Sequence, residues 1–304
     1  MSKNILVLCA TGKQGTGVVD QLAGHPEINI LAVTRNALSP GAKKLQAKGK
    51  NIFIIEGDQD DVPRLFQQAR DIGGGPVWGV FSVQVSMGKG VTNEGEIRQG
   101  KAVIDESVKR GVKHFVYSSV DRGGNEASWD TETYVPPFQT KYHIEHHLRE
   151  NAGSMGWTIL RPVGFMDNMT EGFQVRVYLA TMRDMLGSMP TQWVACSDIG
   201  AFAKIALENP EQWNHRAISI AGDDLNTKQL SEAFKRKTGQ PMDGTFGALG
   251  WLLKVAIKDV RLMTEYMKTD GFKADIAECR KIHPGLMDLE TWIEKSGHFN
   301  TNKN

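Results

Sequence analysis

The chain has 304 residues, enough for one large core or for a main domain with a smaller appendage. Its 36 Lys and Arg nearly cancel its 35 Asp and Glu, so no whole-protein charge favours direct nucleic-acid binding or a membrane surface. Cys9, Cys196 and Cys279 are scattered and odd in number, which implies no disulfide framework and no metal-ligand spacing, and fits a reducing compartment.

The N-terminus enters an apolar segment almost at once, and no apolar run reaches the roughly 18 residues of a membrane helix. A cytoplasmic protein is expected. Residues 5–8, Ile-Leu-Val-Leu, read as a buried parallel strand. Ala10, Thr11, Gly12, Lys13, Gln14 and Gly15 then form a small, Gly-rich turn into a helix over 16–22. Gly12 eases the turn, Gly15 opens the backbone to a diphosphate, and Gly17 lets the helix pack against the sheet. The helix N-terminus faces the phosphates with its partial positive charge. A full dinucleotide fingerprint would want glycine at Cys9, so the turn also fits an ordinary strand-to-helix connection; its place at the start of an α/β pattern favours the ligand.

A second strand, 28–33, ends at Thr34-Arg35-Asn36, where an adenosine ribose would lie. An acid there holds a ribose 2′-hydroxyl, whereas arginine matches a 2′-phosphate. Arg35 has no acid beside it, so the expected cofactor is NADP(H), the alternative being a solvated arginine. A third strand, 51–56, leads through Asp58, read as an adenine contact or as a turn and N-cap residue, into a helix to about 69. The fourth strand, 77–81, runs into Ser82, Val83 and Gln84, placed beneath the pyrophosphate and nicotinamide ribose. Lys89 lies among glycines in a loop over 87–95 and reads as a ligand contact or an exposed lysine. A helix over 95–110 crosses to a strand over 113–117, which brings Ser118 and Ser119 to the carboxyl edge of the sheet. Residues 120–137, acidic and holding Trp129, Asp130 and Tyr134, are long for a structureless connection and read as a lid or mobile segment. A helix over 138–151 and a strand over 157–160 complete the α/β pattern.

Taken together, Ala10-Thr11-Gly12-Lys13-Gln14-Gly15, Thr34-Arg35-Asn36, Val112-Lys113-His114-Phe115-Val116-Tyr117-Ser118-Ser119, Lys141 with Glu145, Leu160-Arg161-Pro162-Val163-Gly164-Phe165-Met166-Asp167-Asn168 and Cys196-Ser197-Asp198-Ile199-Gly200 form an ordered set. It resembles the NmrA-like proteins, atypical short-chain dehydrogenase/reductases, over nearly the whole chain. The resemblance implies an α/β fold, a doubly wound Rossmann sheet with a smaller, mostly helical C-terminal subdomain. It adds Lys141, Pro162 and Phe165 to the cofactor contacts above, and Lys141, Ser119 and Tyr134 as candidates for chemistry.

Ordinary short-chain dehydrogenases carry a tyrosine four residues before the lysine, on the same helix face. Here that position is Pro137, and Tyr134 and Tyr142 are the nearest phenols. Two functions follow from the resemblance. One is a redox-sensing regulator that reads NADP or NADPH and signals to a protein partner, with a nuclear location open to it. The other is an atypical reductase of a small carbonyl, quinone, enone or imine that uses Lys141. Lys141 has a simpler reading as an i,i+4 ion pair with Glu145 on a solvated face. His143 and His147 share a helix face but suggest no third metal ligand.

Beyond residue 174 the βα alternation loosens. Helices are expected over 175–186, 197–207, 227–238, 246–267, 272–282 and 289–296, with a strand over 217–220 joining the far edge of the main sheet. The expected division is 1–160, with that returning strand, as the dinucleotide domain, and 161–304 as a helical cap forming the other wall of the cleft. Homo-oligomerisation is left open.

Overall fold

The computed structural model describes residues 2–88, 90–169, 173–242 and 258–301. The first half alternates strand and helix: β1 (Lys3–Val7), α1 (Lys13–Leu22), β2 (Ile28–Thr34), α2 (Pro40–Gln46), β3 (Ile52–Glu56), α3 (Val62–Gly73), β4 (Val77–Ser82), α4 (Asn93–Lys109), β5 (His114–Ser118), α5 (Pro136–Asn151) and β6 (Gly156–Pro162). There follow β7 (Gly164–Phe165), α6 (Phe173–Leu186), β8 (Thr191–Val194), α7 (Cys196–Glu208), α8 (Pro210–Trp213), β9 (Arg216–Ile220), β10 (Asp223–Leu225) and α9 (Thr227–Thr238). The described part closes with α10 (Lys258–Thr269), α11 (Ile276–Ile282) and α12 (Leu289–Lys295).

The main sheet has the order β3-β2-β1-β4-β5-β6-β9, and the pairings from β3 through β6 are parallel. Its central strands are apolar on both faces because helices cover both; Ile5, Leu6 and Val7 have no exposed surface. The order reverses between β1 and β4, where Val7 pairs with Phe81. Such a reversal opens a crevice at the carboxyl ends of the strands. The expected strand near 217–220 is β9, at the edge beside β6.

Local chemistry shifts several predicted boundaries. α1 begins at Lys13 with Gly12 as its N-cap, so Gly15 and Gly17 both lie inside the helix. α3 is capped by Asp61, whose side chain accepts the Arg64 N–H, and not by Asp58. Thr92 caps α4 by accepting the Gly95 N–H at 3.0 Å, so this helix starts before residue 95, with Glu94 and Glu96 in its first turn.

The chain divides into two compact units that interleave along the sequence: 1–120, 139–161 and 196–218 form one, and 121–138, 162–195 and 219–304 the other. α7 thus belongs with the main sheet and not with the C-terminal part. Its Gly200 meets Gly17 of α1, close enough that a Cβ on either glycine would clash with the other helix's backbone.

The second unit carries the small sheet β10-β8-β7 and a core built from Met166, Leu179, Trp193, Phe234, Trp292 and Ile293. The stretch 120–137, expected as a lid or mobile segment, is instead pinned. Asp121 is fully buried and accepts the N–H groups of Gly123, Gly124 and Lys273 at 3.0–3.2 Å. Arg122, 1% exposed, donates to the Ser128 and Thr131 carbonyls. These bonds give the backbone of an irregular segment the partners it needs when buried. Of the helix predicted over 246–267, residues 246–257 lie outside the described residues, and α10 covers the rest. The segment predicted as a helix over 272–282 is helical only from Ile276, where Asp275 caps it. Among the described residues no helix is long and apolar enough to cross a membrane.

Candidate functional site

β1 ends in a tight turn beside β4. The Leu8 N–H donates to the Phe81 carbonyl at 3.0 Å, the Ala10 N–H to Val33 at 3.0 Å, and the Gly12 N–H closes back on Cys9 at 2.8 Å. Cys9 takes φ = 48°, the left-handed region, at the position where a full fingerprint carries glycine. Its side chain holds that conformation: Sγ donates to the Val83 carbonyl at 3.4 Å and accepts from Gln59 Nε2 at 3.2 Å. Burial pushes the Cys9 thiol up, which disfavours the thiolate. Gln59 also donates to Val83 at 3.1 Å, while Gln84 donates to Gln59 Oε1 and Ser82 Oγ, both at 3.0 Å. Ser82, Val83 and Gln84 therefore form a buried polar floor at the point where the strand order reverses.

Cys9 and Gln59, which these residues hold, line a cavity of about 620 Å³, whereas Ser82, Val83 and Gln84 themselves do not line it. Its wall comes from the end of β1 (Cys9, Thr11, Gly12), the end of β2 (Thr34, Arg35, Asn36, with Ser39), the turn after β3 (Gly57 to Asp60) and the entry to α4 (Thr92, Gly95, Glu96, Arg98, Gln99). A neighbouring cavity of about 350 Å³ shares Arg35, Gly57 and Asp58 and adds Glu56, Asp61 and Arg64. Arg35 is exposed, and none of the ion pairs among the described residues uses it. Glu56 instead accepts the Ala37 N–H at 2.7 Å. Asp60 gathers Arg98 at 2.8 Å and Gln99 at 3.0 Å, ties the start of α4 to the turn after β3, and is held by these bonds below the usual carboxylate range.

Thr11, Gly12, Arg35 and Asp58 are thus brought together on one wall. Asp58 is exposed and its Oδ1 accepts the Asp60 N–H at 2.9 Å. Ala10 is buried, and Lys13, Gln14 and Gly15 open α1, where Ser118 Oγ donates to Gln14 Oε1 at 2.5 Å. A Cβ on Gly15 would stand 2.2 Å from the Cys9 carbonyl oxygen, so this glycine seats the helix on the turn. Ser119 is 5% exposed and its N–H donates to Leu160 at 2.7 Å. Tyr134, Pro162 and Phe165 belong to the second unit; the Tyr134 hydroxyl shares a 3.2 Å bond with Thr269, and Phe165 pairs with Val194 in the small sheet. Lys89 lies outside the described residues. Glu96 and Gln59 went unnoticed in the sequence, because a helix-entry glutamate and a loop glutamine carry no local mark of burial.

The solvated Lys141–Glu145 pair, the simpler reading of their spacing, does not form. Lys141 is 6% exposed and its ammonium pairs with Glu96 Oε1. Glu145 is taken by the buried Arg161, through Nε at 3.1 Å and Nη2 at 2.8 Å. The exchange follows from helix packing. Glu96 and Gly100 share a face of α4, and a Cβ on Gly100 would stand 2.5 Å from Ile144 of α5. That close approach brings the start of α4 under Lys141. His147, on the same helix, bonds Asp105 at 2.6 Å.

The sequence profile of the NmrA-like family matches residues 1–296. The chain belongs to the NmrA-like family. Among its NmrA-like relatives, the domain-containing oxidoreductase lnaB of Aspergillus flavus is 27% identical over 294 residues, covering 88% of this chain and 84% of that protein. A solved structure of NmrA, a negative transcriptional regulator, in complex with NADP superposes with a TM-score of 0.69 at 20% identity, covering 96% of this chain and 94% of that one. The triphenylmethane reductase of Citrobacter sp. complexed with NADP(H) reaches 0.71 at 16% identity, covering 97% and 100%. At these identities the two structures show that this NmrA-like chain shares their fold.

Proposed function

We propose that this NmrA-like protein binds NADP(H) in the cavity at the carboxyl ends of β1, β2 and β3 and acts as a redox-sensing regulator that reports the cofactor's state to a protein partner. The observation that carries the binding is Arg35, an exposed guanidinium outside every described ion pair, on the wall shared with Gly12 at the N-terminus of α1. This donor set fits a phosphorylated dinucleotide. The helix N-terminus and Gly-rich turn suit a diphosphate, and the arginine suits a 2′-phosphate. The cavity volume also lies in the range of small-molecule sites.

Bound NADPH supplies a hydride. The residues that the sequence offers for the matching proton are poorly suited to it: position 137 is proline, the Tyr134 hydroxyl is engaged with Thr269, and the Lys141 ammonium is held by Glu96. That arrangement favours reading the cofactor over turning it over. A second reading, reduction of a small carbonyl, quinone, enone or imine with Lys141 orienting the substrate or passing a proton to it, is favoured by the oxidoreductase names of the relatives. The cytoplasm is the setting proposed for either role, with the nucleus added for a regulator.

The test is calorimetric titration with NADPH and NADP+, limited proteolysis of each complex, and NADPH oxidation against quinones, enones, imines and aldehydes. A sensor must bind the two cofactor forms with different conformational outcomes. Tight binding, different proteolytic patterns and no oxidation support the regulator; turnover that disappears in Lys141→Ala makes the protein a reductase.

A further inference from the structure

Glu96 is 2% exposed and stands in the first turn of α4. Its Oε1 accepts from Ser86 Oγ at 3.0 Å and pairs with the Lys141 ammonium. Its Oε2 is buried without a hydrogen-bond partner. An acceptor left in that state is costly, and native proteins keep few of them. Glu96 and Arg35 both line the 620 Å³ cavity, from separate elements. Strand order fixes the sense of that separation. Arg35 ends β2 and Gly12 follows β1, whereas Lys141, which pairs with Glu96, lies on the helix after β5, on the other side of β1.

We propose that Glu96 is a ligand-reading residue whose free oxygen accepts a hydrogen bond from a hydroxyl or amide donor on the half of the dinucleotide remote from its phosphoadenosine, with Lys141 and Ser86 holding the carboxylate in place. The proposal rests on the NADP(H) reading above. A carboxylate can only accept, so the group it meets must donate. Phosphates are excluded by charge; the adenine amino group and the adenosine 3′-hydroxyl go with the 2′-phosphate on Arg35, so the donor facing the Lys141 side is a ribose diol or a carboxamide. Lys141 then serves first as a positioning residue that anchors Glu96.

The experiment is calorimetric titration of wild type and Glu96→Gln with two probes, NADPH and adenosine 2′,5′-bisphosphate, which lacks the remote half. Glu96→Gln is expected to weaken NADPH about tenfold, the scale of one charge-assisted hydrogen bond, and to leave the bisphosphate unchanged. Equal loss for both probes, or no loss for either, overturns the proposal while bisphosphate binding by the wild type keeps the NADP(H) reading in place. If the wild type binds neither probe, both readings fall. Circular dichroism checks the fold, and Glu96→Asp, which keeps the charge but withdraws it by one methylene, gives the same readout should the glutamine variant not fold. A double-mutant cycle removes the remaining ambiguity: in a Lys141→Met background Glu96→Gln must still weaken NADPH, and a cycle in which the lysine accounts for the whole loss also overturns direct contact.

Discussion

Replacing Gly17 by alanine tests the packing that seats α1, and with it the turn beneath the cavity. A Cβ there would stand 2.4 Å from the Cys196 carbonyl oxygen, 3.0 Å from its carbon and 3.2 Å from Ser197 Cα. All three are backbone atoms, so no side chain can swing away. A carbon–oxygen contact relaxes at about 3.4 Å, and α1 and α7 must therefore part by about 1 Å. The reciprocal contact, with a Cβ on Gly200 2.3 Å from the Gly17 oxygen, shows that neither helix has slack. Overpacking of this kind costs about 1–3 kcal/mol, against which alanine returns about 1 kcal/mol of helix propensity. The net is a loss of up to about 2 kcal/mol, or up to roughly 8 °C in Tm. Thermal unfolding followed by circular dichroism measures it. Gly41→Ala is the control: its Cβ would meet only the Thr11 side chain at 3.6 Å, an ordinary contact inside α2, so its Tm should stay level or rise slightly. A Gly17→Ala protein melting above wild type, by as much as helix propensity alone would give, would refute the close helix contact.

Arg35→Ala should weaken NADPH at least tenfold and leave NADH nearly unchanged in fluorescence titrations, since only the 2′-phosphate distinguishes them; equal loss would remove Arg35 from cofactor selection. Glu145→Gln should cost about 3–5 kcal/mol in urea unfolding, because the fully buried Arg161 guanidinium loses its charge partner, whereas Arg161→Met with Glu145→Leu should recover most of the loss. Burial lowers the His114 pKa from 6.5 to about 4. Its Nε2 lies 2.9 Å from Thr158 Oγ1, which donates to the Trp213 carbonyl, so the neutral ring donates to the threonine. The unfolded chain takes up this proton first as pH falls. Stability is therefore full above about pH 6.5 and drops by about 3 kcal/mol toward pH 4. Urea midpoints of wild type and His114→Gln across that range should converge as the pH is lowered, and parallel curves would contradict it.

The apolar run of β1, the Gly-rich turn after it and Arg35 at the end of β2 were legible in the sequence because each is a local property: a buried parallel strand needs unbroken apolar residues, and a strand end needs no distant partner to be recognised. The helix over 227–238 was legible for the same reason, and the structure caps it with Asn226. Cys9 in the left-handed region was not, since its strain is compensated by Gln59 and Val83, 50 and 74 residues away. Nor was the exchange of partners on α5. Spacing offered Lys141 the glutamate one turn along, yet Glu96 took the lysine and Arg161 took Glu145, because the approach of α4 at Gly100 and the seat of β6 decide which charges are buried together. The sequence by itself determined the alternation of strands and helices and the residues at the strand ends. Only the tertiary structure decided which buried charges meet, because desolvation makes pairing obligatory and packing alone chooses the partner.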